Sequence, residues 1–442
     1  EIPLRLVGSE MCIRDSCNTN SPASSGDATS GASSTEASSG DAQKEPVTIQ
    51  FWTSFTGPDG EYARDITNRF NEMDNGITVE FDAMGADILT EKLATALSTG
   101  NAPALTFQFN LQVGTHGKND TMRDLSDFWE KTGVDKDDFM EESITALQYD
   151  GKQIMLPFHW YSTYLYWNKD LFEAAGLDPE TPPTTWDEVY TMAEQITDPS
   201  KNVYGIGFPT SGAVPWFYSI MRSNGGDFFD TENMKSVLDS PENLETLKWI
   251  QDIAQKGFTP ANNTGADLDN IMMADQLGMY VNGPWLSTGL RDNEINFGVT
   301  GMPAGKKDTI GVAEEYGFAV PKSTPDDQVE AAYEYIAYWY TPEIASEWCL
   351  KNGYPPFIKS LVENEDIKND EYVSIFSQME DYGEVSCVGL TTGQQIQSDV
   401  LFPMVENIMA GNDAQAELTK ASEEIDGILG TEKLSLIHIS EP

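Results

Sequence analysis

Basic residues are scarce in this chain. Its 442 residues hold 26 Lys and Arg against 72 Asp and Glu, a formal net charge of −46. A surface that acidic repels phosphate backbones, which argues against nucleic acid as a partner. It also disfavours anionic lipid surfaces and makes anionic ligands harder to attract. Histidine numbers three and cysteine four, so the clustered ligands that a metal site wants are missing, and neither metal nor cofactor is expected. No run of about 18 apolar residues occurs, so no segment reads as a membrane-spanning helix. There is no Gly-x-Ser-x-Gly elbow, no His-Glu-x-x-His, no phosphate-binding glycine loop and no Cys-x-x-Cys pair. Aromatic residues, in contrast, are plentiful: 20 Phe, 17 Tyr and 10 Trp. With 39% hydrophobic residues and 36 Gly, a buried core is available and whole-chain disorder is disfavoured. The length fits two or more domains of about 100–200 residues each.

The two ends read differently from the rest. Back-translated, Gly8-Ser-Glu-Met-Cys-Ile-Arg-Asp15 and Leu434-Ser-Leu-Ile-His-Ile-Ser-Glu441 are antisense copies of one another. They look like a translated sequencing-library adapter, so residues 1–16 and 434–442 are expected to be artefacts and are set aside from fold reasoning. Cys12 falls in that stretch. Residues 17–45 are almost all Ser, Gly, Ala, Thr, Asp and Glu behind Cys17; such a stretch cannot bury apolar surface and reads as a flexible tether. A Cys followed by a polar tether and then a strand resembles the mature start of a bacterial lipoprotein acylated on that Cys. That reading anchors the chain outside the cytoplasm, on the cell membrane, through Cys17. Cys349 and Cys387 remain; they either pair or stay as two buried thiols.

From Val47 the pattern alternates between strands and amphipathic helices. Val47–Trp52, Ile77–Phe81 and Ala104–Phe109 read as strands. Tyr62, Ile66, Phe70 and Met73 share one helix face, and Ile88, Leu89, Leu93, Ala96 and Leu97 share another that stops at Gly100. This grammar predicts an α/β lobe with a largely parallel sheet. The middle repeats it. Ile154–Trp167 is extended and aromatic, Asp170–Gly176 is a short helix with a Gly stop, and Thr185-Trp-Asp-Glu188 is a capping box. A helix carrying Leu244, Leu247, Ile250 and Ala254 stops at Gly257. Residues 276–281 and 315–320 read as strands, and 328–340 and 342–351 as helices. Thr341-Pro342 is expected to supply a cap and a first-turn Pro. Ala414, Leu418, Ala421, Ile425 and Ile428 mark a closing helix.

Four strings then coincide in order. They are Leu165–Asp178 with Pro182–Glu188, Ser223-Asn-Gly-Gly-Asp227, Met279-Tyr-Val-Asn-Gly-Pro-Trp285, and Asn352-Gly-Tyr-Pro-Pro356. Together they resemble the motifs of extracellular solute-binding proteins, family 1, the sugar-binding lipoproteins of ABC importers, of maltose- and glycerol-phosphate-binding type. The resemblance covers about residues 46–430. It implies an α/β, two-lobed, periplasmic-binding-protein-like type II fold, with discontinuous lobes joined by a multi-strand hinge. Lobe one would be 46–157 plus 298–342 and lobe two 158–297 plus 343–433. The crossings would fall at Phe158–Tyr164, Phe297–Pro303 and near Thr341. The implied function is extracytoplasmic capture of a neutral sugar or oligosaccharide between the lobes, with delivery to ABC permease subunits by a monomer.

A sugar presents apolar C–H faces and a belt of hydroxyls, so it calls for flat rings and for Asp, Asn, Gln or Glu partners. Trp216 precedes Ser223-Asn-Gly-Gly226 at the spacing where the family carries a stacking aromatic. Trp285 matches a Trp that stacks on sugar in maltose-type members. His159, Trp160 and Tyr161 lie on the first crossing. Tyr354, in its Gly-Tyr-x-Pro turn, matches a ligand-contacting Tyr of glycerol-phosphate-type members. Trp52, Thr53 and Asp59 sit on the first strand-to-helix loop, Gln108 and Asn110 follow the third strand, and Glu315 and Tyr316 begin a strand. Core packing or turn roles compete at several of these positions. The family pattern is also broken: the late segment Gly389–Gln395 carries no basic residue, where glycerol-phosphate-type members have an Arg. A phosphate would find no charged partner there, which favours a neutral saccharide. The late Trp of maltose-type members has no match either, which puts maltose itself in doubt. The rival readings are a binding protein for glycerol phosphate, peptide, polyamine or metal ion and, less favoured, a carbohydrate-active enzyme with two opposed carboxylates.

Overall fold

The computed structural model describes residues 46–377, 383–387 and 390–440. Cys12, Cys17 and the tether lie outside them. Among the described residues no helix is long and apolar enough to cross a membrane.

The strands are β1 (Val47–Thr53), β2 (Ile77–Ala83), β3 (Leu105–Phe109), β4 (Leu156–Ser162), β5 (Tyr164–Asn168), β6 (Met279–Asn282), β7 (Phe297–Thr300), β8 (Gly311–Ala319) and β9 (Gly383–Val385). In the first sheet β1 is central to a parallel trio, with β2 on one side and β3 on the other. The helices Pro58–Asn71 and Ala86–Thr99 make the crossovers such a trio needs. Ala86–Thr99 ends on Gly100 at φ 72°, a left-handed stop that glycine adopts without a Cβ clash. β8 runs antiparallel to both β3 and β4, and its start pairs in parallel with β9. The second sheet is β6-β5-β7, antiparallel throughout.

Two passages join the sheets. β4 belongs to the first and β5 to the second, with only Thr163 between them. Thr163 N donates to Val312 O at 2.9 Å, and Val312 N donates to Thr163 Oγ1 at 2.9 Å. The return runs from β7 in the second sheet to β8 in the first. A third passage is expected near Thr341, and the buried clusters show what the chain beyond it touches. Ile344, Ala345, Trp348, Cys349, Tyr354, Phe357 and Val373 are buried in the same cluster as Phe51, Phe107 and Phe158 of the first sheet and Trp339 of the helix Asp326–Trp339. Phe376 joins a cluster with Tyr164 and Tyr166, and from Cys387 onward the apolar residues join Trp186, Trp216 and Leu247. The helix Pro342–Asn352 turns its apolar face to the first core, while Lys351 O accepts from Thr288 Oγ1 and Arg291 Nη2, both at 2.7 Å, and Tyr372 stacks on Phe297, so the segment up to Val373 touches both sides.

Local signals hold with two adjustments. Thr185 Oγ1 accepts from Glu188 N at 3.2 Å, but the Glu188 carboxylate reaches back to Thr184, whose N and Oγ1 donate at 2.7 and 2.8 Å. Pro342 opens its helix as expected, whereas the Thr341 hydroxyl donates backwards to Tyr338 O at 2.8 Å and makes no cap bond. The closing helix runs from Ala414 to Ser440, into the stretch set aside on sequence grounds. Cys349 and Cys387 are free, buried thiols in different clusters.

Trp339 is fully buried among Phe158, Phe318, Tyr335 and Trp348. Replacing it with Ala removes a large ring from a packed site, so Trp339→Ala should lower the unfolding free energy by about 3–5 kcal/mol. A urea titration followed by far-ultraviolet circular dichroism measures this.

Candidate functional site

Strand alternation sorts the side chains that matter. In the antiparallel pair β4–β8, Tyr161 faces Glu314, Trp160 faces Glu315 and His159 faces Tyr316. Opposed residues share a face and neighbours alternate. His159, Tyr161, Glu314 and Tyr316 therefore stand on one face, with Trp160 and Glu315 on the other. Across β3–β8, Tyr316 faces Phe109 and Gly317 faces Gln108, so Phe107 and Phe109 join the first face and Gln108 the second.

That first face floors a cavity of about 310 Å³. Over it stand Phe55 from the loop after β1, Asp59 from the helix Pro58–Asn71, Val214, then Asp269, Tyr280, Asn282 and Trp285 from the second sheet's side, and Tyr354, Gln394, Gln397, Ser398 and Phe402. Trp285 owes its pose to Gly283: a Cβ there would lie 2.0 Å from the indole ring, so only glycine lets the ring fold back over the backbone. Tyr166 Oη donates to Gly283 O at 2.7 Å and fixes that turn. The Trp285 ring meets Tyr161 edge-on, at 4.8 Å and 90°. His159 stacks on Tyr354 at 4.1 Å and 22°, and Phe107 stacks on Tyr316 at 5.0 Å and 14°.

Three carboxyl groups line this space, and no Lys or Arg does so among the described residues. Asp59, in the first turn of its helix, accepts from Tyr354 Oη at 3.3 Å; burial nonetheless pushes it up to about 6. Asp269 accepts from Asn282 Nδ2 at 2.7 Å. Burial, with the nearby Asp59 charge, pushes it up to about 7. Glu314 accepts from the Tyr161 hydroxyl and, at 3.3 Å, from Tyr316 Oη, and burial raises it too. His159 is held well below its ordinary value by burial, so its ring is neutral, and its Nδ1 has no partner.

Asp59, His159, Tyr161, Trp285, Tyr316 and Tyr354, all singled out from sequence, thus come together. The other seven stand outside the cavity. Trp216 is 0% exposed, stacked on Phe208 at 4.0 Å and 2°, with Nε1 donating to Pro209 O at 2.9 Å. Its spacing from the Asn-Gly-Gly loop is as expected, but the start of the helix Trp216–Ser223 turns the ring inward. Trp160 and Glu315 lie on the far face of their strands, where Glu315 accepts from Ser143 Oγ at 3.2 Å. Trp52 packs beneath Lys92, whose Nζ is 3.9 Å from the ring centroid. Thr53 Oγ1 accepts from Phe55 N at 3.3 Å, a turn role. Gln108 Nε2 donates to Thr106 Oγ1 at 2.9 Å. Asn110 opens a short 3₁₀ turn.

Sequence reasoning missed Glu314, Asp269, Asn282, Gln394 and Gln397. Glu314 was within reach, being two residues from Tyr316 on the same strand face. Asp269 sits mid-helix among many acids and carries no local signal.

Residues 65–374 match the sequence profile of bacterial extracellular solute-binding proteins. The chain belongs to this family. The binding protein is 26% identical over 300 residues to the maltotriose-binding protein of Pyrococcus abyssi, covering 66% of this chain and 62% of that one. It is 25% identical over 340 residues to the sn-glycerol-3-phosphate-binding periplasmic protein UgpB of Escherichia coli K12, covering 72% and 75%. Its fold matches a Thermotoga lettingae ABC-transporter solute-binding protein bound with α-D-tagatose, with TM-score 0.77, 25% identity and coverage of 86% and 99%. It also matches maltose-bound MalE3 of T. maritima, with TM-score 0.76, 19% identity and coverage of 86% and 99%. The architecture is that of the two-lobed periplasmic binding proteins.

The raised Asp269 gives a pH signature. Its folded value is about 7 against 3.8 for the free group, so the folded state prefers the protonated form, and stability falls as pH rises from about 4 to about 7. Asp269→Asn keeps the acceptor and removes the charge. Relative to the parent it should gain about 2 kcal/mol of stability between pH 5 and pH 8. Denaturant titrations of the unliganded proteins at both pH values check this.

Proposed function

We propose that this binding protein captures an uncharged sugar or oligosaccharide for an ABC importer, holds it in the 310 Å³ cavity, and hands it unchanged to permease subunits. The observation that carries this reading is the lining itself: rings on several sides, carboxyl and amide groups between them, and no Lys or Arg among the described residues. Flat rings suit the C–H faces of a pyranose. Asp59, Asp269, Glu314, Asn282, Gln394 and Gln397 suit its hydroxyls. A phosphate ester would meet three carboxyl groups and no cation, which sets glycerol phosphate below a neutral sugar. A polyamine is the second reading, favoured by the same three acids. Burial, however, shifts two of them toward the neutral form near pH 6–7, which serves a hydroxyl partner as well as a cation. Family members are binding proteins, and we assign this chain no catalytic step. A lipid anchor on Cys17, attachment to the outer side of the cell membrane, and a monomeric state complete the proposal.

Calorimetric titration against neutral saccharides, glycerol 3-phosphate and spermidine tests it. A neutral saccharide should bind best; binding of the phosphate ester or the amine alone would overturn the reading. Tyr161→Ala and Trp285→Ala should each weaken the sugar at least about tenfold, equivalent to about 1.4 kcal/mol. Trp216→Phe, in the core, should leave its affinity within about twofold.

A further inference from the structure

Beside the ligand cavity lies a second one, of about 680 Å³. The two share a wall: Ser211, Gln394, Ser398 and Phe402 line both. Three of these four come from one helical stretch, Gly393–Ile396, Gln397–Leu401 and Phe402–Met409 in unbroken succession. Positions four apart on a helix lie on one face, so Gln394, Ser398 and Phe402 form a single ridge. The middle segment is π-helical, a wider turn that recurs at functional sites. Gln397 lines the ligand cavity, and Gln395 and Asp399 line the second one. Along the ridge Gln394 Nε2 donates to Ser398 Oγ at 2.8 Å. The half-buried Phe402 ring stands perpendicular to Phe217, at 5.2 Å and 87°.

The far wall of the second cavity comes from two helices. Ala86–Thr99 supplies Thr90 and Glu91, and Val113–Asn119 supplies Thr115 and Asn119. The first of them packs on Trp52 of β1 through Leu89 and Ala96, whereas Ile396 and Leu401 of the ridge stretch belong to the Trp216 cluster. Thr115 Oγ1 donates to Thr391 O at 2.5 Å and joins the two walls. Among the described residues Phe402 is the one aromatic ring of this lining; the rest is mostly hydroxyl, amide and carboxyl groups, with one basic residue, Lys118. Gln395 and Asp399 are exposed, and neither side chain has a hydrogen bond or ion pair among the described residues, so both are available to a hydroxyl. The first cavity alone, of about 310 Å³, stands at the lower end of the range of about 300–1,000 Å³ that small-molecule sites span, and the two joined approach its upper end. A chain of sugar rings matches such a shape, because every ring repeats the same belt of hydroxyls. We infer that the two cavities form one site for a saccharide of two or more rings, with Phe402 under the junction and Gln395 and Asp399 bonding to hydroxyls of the second ring. This extends the neutral-sugar reading and rests on it. Gln395 and Asp399 then set the chain length that is preferred, while the first cavity selects the kind of ring.

Calorimetric titration of the full chain with glucose, mannose, galactose and xylose, each beside its disaccharide and trisaccharide, tests this. Within a series that binds, the trisaccharide should bind at least about tenfold more tightly than the monosaccharide. The double variant Gln395→Ala/Asp399→Ala, altered only at exposed positions, should unfold thermally as the parent does. It should lose at least about fivefold in trisaccharide affinity and keep its monosaccharide affinity within about twofold. Equal affinity for one ring and three in the parent, parental trisaccharide affinity in the double variant, or an equal loss for both sugars would overturn the extended site and leave the sugar reading standing. No binding of any of these saccharides would overturn the sugar reading itself, and the extension with it.

Discussion

The pairing of Leu156–Ser162 with Gly311–Ala319 is the constraint on which the ligand site depends. Each of these strands connects to the second sheet, one through Thr163 and the other through the segment after Thr300. Their register decides what the cavity sees. Shifted by one residue, the pair would present Trp160 and Glu315 in place of Tyr161 and Glu314, because side chains alternate with a period of two. The reciprocal bonds between Thr163 and Val312 pin that register where the chain changes sheets. Aromatic packing does the same, with Phe107 edge-on to Phe158 and to Phe318, and Phe158 tilted against Phe318. A site that must meet a sugar ring within a few tenths of an ångström is thus built on strands, where positions are fixed by pairing and packing together.

Among the described residues, three carboxyl groups line the cavity without a basic partner. In low-dielectric surroundings the charged form of each is disfavoured unless something bonds to it. The protein supplies part of that bonding from hydroxyls and an amide: Tyr354 for Asp59, Tyr161 and Tyr316 for Glu314, and Asn282 for Asp269. Sugar hydroxyls supply more of the same kind, since each can donate to a carboxylate or accept from a protonated acid. A cationic side chain would have satisfied these acids in advance and left them less to gain from a ligand.

The regular elements were legible because their signals are local. Alternation located β1 and β2 within a residue or two, and a glycine stop at Gly100 closed the helix after β2. Tyr161 came through because it lies on the first crossing, Tyr316 because it begins a strand beside it, and Trp285 because the family motif it resembles carries a Trp at that place. Trp216 did not. A tryptophan at the right spacing from a loop says nothing about which way the first turn of its helix points, and here the ring lies flat on Phe208. Glu315 stood out beside Tyr316, yet a strand sends such neighbours to opposite faces, so Glu314 was the residue to name. The segment 344–373 was assigned by family order to the second lobe. Most of its buried apolar residues go to the first core, because the apolar face of Pro342–Asn352 meets Trp339 and Phe158. Asp269 and Gln397 are distant in sequence from every other lining residue, and only the fold brings them in.

That packing decides how the cavity wall divides. Tyr354 is carried by the same core as Phe55, Phe107 and Tyr161. Tyr280 belongs to the cluster around the second sheet, and Gln394 and Gln397 flank Ile396 of the third cluster. Trp285 packs against both the first core and the second-sheet cluster. On the proposed reading, a sugar seated between Tyr354 and Tyr280 bonds to groups carried by different cores, and its binding free energy depends on how those cores are disposed. A ligand with such divided contacts favours the arrangement that satisfies all of them at once, by its differential affinity alone. Trp285, touching both sides, is the ring whose surroundings must change whenever that arrangement does. Capture and the signal that capture has occurred then follow from one set of contacts.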